Sequence, residues 1–453
     1  MAVEKGKTTE EKPGVAVKVT GKSRVLPCKK EERRPTCQLV TFDLPYITFY
    51  YNQKVLVYKH GGDFGEAVGK LKEGLSAALE EFYPLAGRLG KDEEGVLVVK
   101  CGEEEEGWVG VDVVEAVAEE VEVAELAADE VPELLQQIVP LTGVMNLEGL
   151  HRPLLAVQFT KLKDGFAIGC AFNHAILDGN STWHFMSSWA EICRTGCEST
   201  SISLKPIHDR TKARNTRVKL ELPKSASEHE DSDPTKGHSI PLRERVFTFS
   251  EASIDKIKSD ANAGRPEGAK PFSAFQSLGS HIWKAVCRAR GLKPEDVTVF
   301  AIFMDCRKRV DPPMDDSYFG NLIQAVFTGT ASGLVQAHPL GFGAGLLQGV
   351  IDAHDAKAID ARSKEWEAAP KLFHFKDAGV NCVAVGSSPR FPVYEVDFGF
   401  GRPERVRSGS NNKFDGMVYL YRGREGGRSV DVEITLEPLP MENLEKDEEF
   451  LKV

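Results

Sequence analysis

The sequence lacks the signals that direct a chain into a membrane or out of the cell. No apolar run approaches the roughly 20 residues that a membrane-spanning helix needs. The first seven residues, MAVEKGK, are polar where a signal peptide would be apolar. The 9 cysteines form neither a disulfide framework nor paired CxxC sites. We therefore expect a protein of the reducing cytosol with free thiols and no membrane span.

Positive charge is also scarce. The 57 lysines and arginines are outnumbered by 68 acidic residues, which gives a formal net charge of -11. This balance argues against nucleic acid as a partner. No cluster of histidines, cysteines and carboxylates has the spacing of metal ligands, so no metal site is expected. No Gly-x-Ser-x-Gly elbow occurs, and a serine hydrolase is therefore not supported.

The length and patterning indicate two domains of the α/β class. A chain of 453 residues is too long for one ordinary core. Segments with strand and helix periodicity alternate in both halves, which predicts mixed sheets. We predict a disordered N-terminus at 1–14, an N-terminal domain at 15–204, a crossover linker at 205–240 and a C-terminal domain at 241–453. The linker is rich in Ser, Thr, Lys, Asp and Pro.

Three closely spaced glycines, Gly341, Gly343 and Gly345, resemble a nucleotide-binding loop in their spacing. However, no predicted strand precedes them, and no acidic residue follows at the expected distance. We predict a flexible loop at these glycines, followed by a helix over 353–366.

The most informative stretch is FNHAILDG at 172–179. It follows an apolar run at 166–172 that predicts a buried strand, and it precedes a helix for which Ser181 is a candidate N-cap. His174 thus lies where a strand passes into a helix. A neutral imidazole can accept a proton near pH 7, and Asp178 can fix its orientation. The alternative is a structural histidine packed beneath the helix.

Four stretches resemble the plant acyl-CoA-dependent acyltransferases of the BAHD family. Residues 174–179 resemble its HxxxDG signature, and DFGFG at 397–401 approximates its DFGWG signature. Residues 83–88 (YPLAGR) and 318–321 (YFGN) match further family stretches. HxxxD alone is short and therefore weak, but four matches in the family's order are strong. The chain is identified as a member of this family on these motifs.

The resemblance implies a fold and a reaction. The fold would be a two-domain, chloramphenicol-acetyltransferase-like α/β fold with mixed sheets and a channel between the domains. Acyl-CoA would be the co-substrate, with no bound cofactor or metal, and the protein would be a monomer. His174 would act as the general base, taking the hydroxyl proton of the acceptor as the oxygen attacks the thioester. The family forms no acyl-enzyme, so no Ser or Cys nucleophile is needed.

The family also implies roles for residues near His174. Its HxxxD aspartate turns away from the histidine and pairs with an arginine of the other domain. The matching residues are Asp178 and Arg307, to which we assign a positioning role. Gly179 would permit a tight turn or a close backbone approach.

The second signature implies a loop away from the catalytic centre that shapes the coenzyme side. It comprises Asp397, Phe398, Gly399, Phe400 and Gly401. Many relatives carry a Trp, thought to steady the oxyanion, at the place of Ser388. The Ser388 hydroxyl is either an oxyanion donor or part of a simple turn.

Basic residues near the motifs are candidates for contacts with the phosphates of coenzyme A, although surface cations are usually only solvated. These candidates are Lys308, Arg309, Arg402, Arg405 and Arg407.

The substrate is suggested by further resemblance to a cutin-pathway member of the family at 181–189, 319–327 and 408–414. It implies a fatty acyl donor, hydroxylated, and a hydroxyl acceptor such as a small molecule or lipid. Relatives carry the larger Trp side chain at the positions of Ser388 and Phe400, so a pocket lined by these smaller residues would suit an alkyl chain. Two alternatives stay open: hydroxycinnamoyl transfer to a phenolic or organic-acid hydroxyl, with Arg390 holding a carboxylate, and a non-catalytic ligand-binding protein on the same fold.

Overall fold

A computed structural model describes residues 17–28, 34–102, 109–130, 133–196, 202–224, 241–373, 379 and 381–453. The predicted N-terminal segment 1–14 lies outside these residues, as does 225–240 of the predicted crossover linker.

The strands of the described residues are, in chain order, β1 (Lys18–Val25), β2 (Cys37–Gln38), β3 (Asn52–Lys59), β4 (Arg88–Lys91), β5 (Leu97–Lys100), β6 (Val111–Ala118), β7 (Leu155–Leu162), β8 (Gly165–Phe172), β9 (Arg243–Phe249), β10 (Val297–Asp305), β11 (Ile323–Ala331), β12 (Cys382–Val385), β13 (Arg405–Ser408), β14 (Met417–Arg422) and β15 (Val430–Leu436).

The α-helices of the same residues are α1 (Phe64–Glu81), α2 (Val123–Ala127), α3 (Gly179–Thr195), α4 (Glu251–Asn262), α5 (Ala274–Ala289), α6 (Ser332–Ala337), α7 (Leu340–Ala353), α8 (Ala356–Ala368), α9 (Pro438–Leu444) and α10 (Glu448–Leu451). Short 3-10 helices form at Leu44–Tyr46, Tyr83–Ala86, Glu133–Gln137, Asn146–Leu150, Arg210–Lys212 and Val393–Glu395.

Two mixed six-stranded sheets form the frame. The first has the order β1-β6-β7-β8-β3-β13 and the second the order β11-β10-β12-β14-β15-β9, while β2, β5 and β4 form a small third sheet. β6 and β7 are parallel, as are β10, β12 and β14, and the other pairs are antiparallel. The predicted α/β class with mixed sheets is therefore confirmed.

The first sheet takes its last strand from the far end of the chain. β13 pairs antiparallel with β3, with Val406 opposite Leu56. By sequence β13 falls in the segment predicted to be the C-terminal domain. The C-terminal half thus contributes one strand to the first sheet, and the domain boundaries stay a prediction.

Helix α3 covers the first sheet because one side of it is apolar and buried. Trp183, Phe185 and Trp189 are 2% exposed or less. The indole N–H of Trp189 donates to the Leu71 carbonyl of α1 at 3.0 Å, which locks the two helices together. This packing holds the start of α3, and therefore the segment that contains His174, on a rigid base.

The prediction of a loop at the three glycines is wrong. Gly341, Gly343 and Gly345 all lie in helix α7. The helix packs so closely that a Cβ at Gly343 would lie 2.5 Å from Ser280 Oγ, and one at Gly341 would lie 2.8 Å from the Ala261 carbonyl oxygen. Glycine has low helix propensity, but here tertiary packing against α4 and α5 outweighs it. The predicted helix over 353–366 is observed in part, as α8.

Among the described residues, no helix combines the length and the apolar character that crossing a bilayer requires.

Candidate active site

A cavity of about 1190 Å³ lies where elements of the two large sheets meet. Its wall includes Trp183 of α3, Ala301 of β10, Ile323 of β11 and Tyr419 of β14. His174 lines the same cavity. The imidazole is therefore open to a ligand, as the sequence predicts, and is not sealed beneath the helix.

The backbone and the ring of His174 are both fixed by neighbours. Its N–H donates to Asn146 Oδ1 at 2.8 Å, and its carbonyl accepts from Asn321 Nδ2 at 2.9 Å. The ring stacks on Tyr46, with centroids 4.9 Å apart and planes 9° apart. Phe49 meets it edge-on at 6.2 Å. The orientation of the imidazole thus comes from aromatic packing and two asparagines.

The electrostatic surroundings keep the His174 ring neutral. Burial lowers its pKa below the ordinary value of 6.5, because the charged imidazolium loses hydration. The Asp178 carboxylate raises the pKa by a smaller amount, and the Lys54 ammonium lowers it. At pH 7 the ring is therefore in the form that accepts a proton.

Asp178 forms a buried, bidentate ion pair with Arg307, as the resemblance implies. Arg307 Nη1 donates to Asp178 Oδ2 at 2.8 Å and Nη2 donates to Oδ1 at 3.0 Å, and both side chains are 0% exposed. The carboxylate also accepts from the N–H groups of Ser181 and Leu322, each at 3.0 Å. Its partners within the described ranges do not include the His174 ring, so a His–Asp dyad is not formed.

The ion pair connects the start of α3 to the segment that precedes β11. Burial by itself would raise the pKa of Asp178, but the charge and hydrogen bonds of Arg307 lower it below 3.8. Arg307 Nη2 also donates to the carbonyls of Tyr318 and Gly320, at 3.2 and 3.3 Å. The carboxylate is therefore ionised, and its observed contacts are structural.

The N-cap of α3 differs from the prediction. Asp178, not Ser181, caps the helix, since its side chain accepts the Ser181 N–H. The Ser181 hydroxyl instead donates to the Gly320 carbonyl at 3.0 Å. Asp is as good an N-cap as Ser, so the helix begins directly after Asp178, at Gly179.

A second buried ion pair, which was not predicted from the sequence, lies near His174. Arg210 Nη1 contacts Asp43 Oδ1 at 2.5 Å, and Nη2 donates to the Ile176 carbonyl at 2.6 Å. Asn321 donates to the same Asp43 oxygen from its N–H and its Nδ2, both at 3.1 Å. Asn321 could have been found from sequence, because it is the last residue of the YFGN stretch that matches the family. The Asp43–Arg210 pair joins positions 167 apart and has no local signal.

Gly179 allows the start of α3 to approach the ring of Phe391 closely. A Cβ there would lie 2.9 Å from Phe391 Cζ. Phe391 lines the cavity, so any larger residue at 179 would displace part of the cavity wall.

The loop 397–401 lies outside the cavity wall. Asp397 Oδ1 accepts from the N–H groups of Gly399 and Gly401 at 2.7 and 2.9 Å, and both glycines have positive φ, +97° and +89°. Phe398 is fully buried and meets Trp189 edge-on at 4.8 Å. None of the five loop residues lines the cavity. The loop is built as a tight turn anchored beneath α3.

Phe400 therefore does not shape the cavity. The centroid of its ring lies 5.0 Å from that of His60, which follows β3, and 5.3 Å from that of Phe166 in β8. The argument that Phe400 leaves room for an alkyl chain is wrong, because the side chain faces away from the ligand space.

Comparison with known proteins identifies the family. The family model described as "Transferase family" matches residues 15–451. BAHD acyltransferase DCR of Arabidopsis thaliana is 56% identical over 449 residues, which cover 96% of this chain and 92% of that relative. The chain belongs to the BAHD acyltransferase family. It is an acyltransferase for groups other than amino-acyl groups, and acyl-CoA is its co-substrate.

More distant relatives and solved structures agree with this assignment. Shikimate O-hydroxycinnamoyltransferase of Nicotiana tabacum is 28% identical, covering 88% of this chain and 91% of the relative. The crystal structure of vinorine synthase superposes with a TM-score of 0.72 at 21% identity, covering 96% of this chain and 98% of the other. The TRI101 structure from F. sporotrichioides, complexed with coenzyme A and T-2, has a TM-score of 0.72 at 20% identity, covering 92% and 99%. The structures establish the fold.

Two of the basic candidates for coenzyme contacts in this BAHD chain are wrong. Arg407 is 0% exposed and donates to the carbonyls of Leu126 and Ala128. Arg405 pairs with Asp129 at 2.9 Å and Asp431 at 3.3 Å. Both guanidinium groups thus already have partners within the protein.

Ser388 lines the cavity within a turn. Its Oγ accepts from the Arg390 N–H at 3.2 Å, and its carbonyl accepts from the Phe391 N–H at 3.2 Å. A hydroxyl that accepts one bond still has its hydrogen to donate. Both proposed roles for Ser388, turn and oxyanion donor, therefore fit this geometry, and the second stays a prediction.

Within the part of the chain that the structure describes, no group of three or more His, Cys, Asp or Glu residues is arranged to hold a metal ion.

Proposed function

We propose that this BAHD enzyme transfers a fatty acyl group, hydroxylated, from coenzyme A to a hydroxyl acceptor in the formation of cutin. The observation that carries the proposal is the cavity. At about 1190 Å³ it exceeds the roughly 300–1,000 Å³ of ordinary small-ligand sites. Its wall includes the apolar side chains Phe275, Ile302, Phe327, Ile351 and Phe373. An alkyl chain buried against them gains about 0.8 kcal/mol per methylene.

In the proposed reaction His174 is the general base. The neutral imidazole removes the proton of the acceptor hydroxyl as its oxygen bonds to the thioester carbonyl carbon. The C–S bond then breaks, and the imidazolium returns the proton to the coenzyme A thiolate. The Ser388 hydroxyl donates to the carbonyl oxygen as negative charge develops there.

Asp178 and Arg307 act in this scheme as positioning residues. Their ion pair fixes the start of α3 against the segment before β11, and Asn321 connects that segment to the His174 carbonyl. The imidazole is thereby held in one orientation without a direct carboxylate partner.

We further propose that the enzyme acts in the cytosol as a monomer. In support, the cysteines of the described segments are free thiols, and most of them are buried. Such thiols suit a reducing compartment.

Hydroxycinnamoyl transfer is the second candidate. Several relatives carry that activity in their names, among them hydroxycinnamoyl-CoA:5-hydroxyanthranilate N-hydroxycinnamoyltransferase HHT1 of Avena sativa, which is 31% identical over 88% of this chain and 91% of its own length. Arg390 lines the cavity and supplies a cation for the carboxylate of an organic-acid acceptor.

A competition assay separates the two candidates. Purified protein receives equal amounts of 16-hydroxyhexadecanoyl-CoA and p-coumaroyl-CoA with a pooled set of alcohols, phenols and hydroxy acids. Mass spectrometry of the products should show mainly hydroxyacyl esters, with release of free coenzyme A thiol. Predominant p-coumaroyl esters would contradict the lipid assignment. Binding of both donors without thiol release would instead indicate a non-catalytic protein.

A further inference from the structure

Lys54 is a buried lysine that the proposed mechanism leaves without a role. It lies in β3, opposite Cys170 of β8 and Ser408 of β13. The residue is 3% exposed, yet it lines the same cavity as His174. Lysine is almost never buried to this degree unless its ammonium group is paired.

The Lys54 ammonium rests on aromatic rings. Nζ lies 5.0 Å from the centroid of Tyr419 and 6.0 Å from that of Tyr421. Within the described ranges no carboxylate comes within 4.0 Å of it, and no side chain or carbonyl accepts a hydrogen bond from it. Cation–π attraction is too weak to replace the lost hydration of a buried ammonium.

The Glu433 carboxylate, which attracts the Lys54 ammonium, is already engaged by another lysine. Lys413 lies 4.6 Å from the Tyr419 centroid, pairs with Glu244 at 2.9 Å and also contacts Glu433. Burial lowers the pKa of Lys54 to about 7. The negative charge of Glu433 raises this pKa and the positive charge of Lys413 lowers it, but both effects are smaller than that of burial. The cavity wall therefore holds a donor group that has no acceptor among the described residues. An anion entering the cavity would supply the acceptor.

Lys54 lies on the His174 side of the cavity, because β3 pairs with β8 and His174 follows the last residue of β8, Phe172, by two positions. The phosphates of coenzyme A are separated from the thioester by the pantetheine arm, so they do not lie beside His174 when the thioester does. The carboxyl group of the donor acid is consumed in the thioester. The remaining molecule at this end is the acceptor.

We propose that Lys54, supported by Tyr419 and Tyr421, binds an anionic group of the acyl acceptor. The inference rests on the proposed acyl transfer to a hydroxyl group and specifies its acceptor as an alcohol that carries a carboxylate or a phosphate. A hydroxy acid and a glycerol phosphate share this chemistry. With a hydroxy acid as acceptor, the product would be an ester that still bears a free carboxylate.

The first test measures binding without turnover. Calorimetry compares 3-hydroxybutanoate, whose carboxylate lies close to its hydroxyl group as the site requires, with its methyl ester, and sn-glycerol 3-phosphate with glycerol, on the wild-type protein, Lys54→Met and Lys59→Met. Lys59 is the matched control, since it lies exposed at the end of the same strand. We expect the wild type and Lys59→Met to bind the anion about tenfold or more tightly than its neutral partner, and Lys54→Met to lose this preference. The pair of ligands that shows the preference distinguishes carboxylate from phosphate.

The second test measures acyl transfer. Lys54→Met should raise KM for the anionic acceptor by about tenfold or more while changing kcat by less than about twofold, and should leave KM for the neutral acceptor unchanged. Lys54→Arg keeps the positive charge and should retain part of the preference. This variant tests the role of the charge even if Lys54→Met does not fold.

The outcomes are distinguishable from those that test the proposed function. An anion preference that Lys54→Met leaves intact, or no preference in the wild type, overturns the role of Lys54 even if esters form. Anion binding that depends on Lys54 without any ester formation supports the site and contradicts the proposed acyl transfer.

Discussion

At the scale of single residues, the protonation state of His174 follows from where it lies. The ring packs against Tyr46 and Phe49 and faces a largely apolar cavity, so the imidazolium form loses hydration. The pKa is lowered, and the base form is present over a wider pH range than in a free histidine.

Replacing His174 with Ala should remove activity and leave the fold intact. The general base contributes about 10²–10⁴-fold to the rate, and the change deletes no buried ion pair. Steady-state kinetics and the melting temperature check both parts, with His338→Ala, at an exposed histidine away from the cavity, as the control. Because the His174 pKa is lowered, wild-type kcat/KM should fall to half of its plateau value only at a pH below 6.5. A variant that keeps more than about a tenth of the wild-type rate would contradict the role.

Asp178→Ala should reduce stability as well as rate. It removes the buried partner of the Arg307 guanidinium and leaves only the half-exposed Asp305, and breaking a buried pair in this way typically costs about 3–5 kcal/mol. Asp305→Ala is the matched control, because Asp305 contacts the same guanidinium at 3.0 Å but its side chain is 50% exposed. Chemical denaturation should show a large loss for the first variant and a small one for the second.

The pH dependence of that loss has a definite sign. The pKa of Asp178 is lowered in the folded state, so its contribution is present above 3.8 and disappears as the pH falls through the lowered value. The stability difference between the wild type and Asp178→Ala should therefore shrink in strong acid. Equal melting temperatures at pH 7 would rule out the stabilising role of the ion pair.

At the scale of elements, the junction between β8 and α3 places the reactive residues. Asp178 caps α3, and Arg210 holds the carbonyl of Ile176 between the strand and the helix. The turn at 388–392 packs against the start of the same helix, where Gly179 meets Phe391. The shape of the cavity beside His174 therefore depends on this one glycine.

Gly179→Ala should impair substrate binding more than folding. The new Cβ would press on the Phe391 ring from 2.9 Å, and such overpacking costs about 1–3 kcal/mol. We expect a higher KM, restored in part by Gly179→Ala combined with Phe391→Leu. Gly349→Ala in α7 is the control, because nothing lies within 4 Å of the position that its new methyl group would take. If the single variant has wild-type kinetics, Phe391 is free to move and the close approach is unimportant.

At the scale of the whole molecule, the two large sheets are not independent. β13 belongs to the first sheet but lies in the chain between β12 and β14 of the second. Arg405 of β13 donates to the Ala127 carbonyl on one side and pairs with Asp431 of β15 on the other. Unfolding either sheet would strip partners from the other.

We therefore expect the protein to unfold in one cooperative transition. Far-UV circular dichroism and tryptophan fluorescence should report the same midpoint, and Arg405→Ala should lower both together. Arg424→Ala is the control, since the Arg424 side chain is 55% exposed and its ion pair with Glu404 should contribute little. Two separated transitions would show that the halves fold independently.

The sequence by itself determined the family, the α/β class and the residues worth testing. The strands over Cys382–Val385 and Val430–Leu436 can be predicted because the apolar run of the first and the apolar–polar alternation of the second are local patterns. The pairing of Asp178 with Arg307 came from resemblance, since local pattern contains no information about two residues 129 positions apart.

Only the tertiary structure decided those features that depend on contacts between segments far apart in the sequence. The glycines of α7 are helical because α4 and α5 lie against them, and local propensity points the other way. Asp43 meets Arg210, and Lys54 lies over Tyr419, only once the sheets have assembled. A lysine in a strand looks ordinary in sequence. Its missing partner becomes visible only when the fold places it in the cavity beside His174.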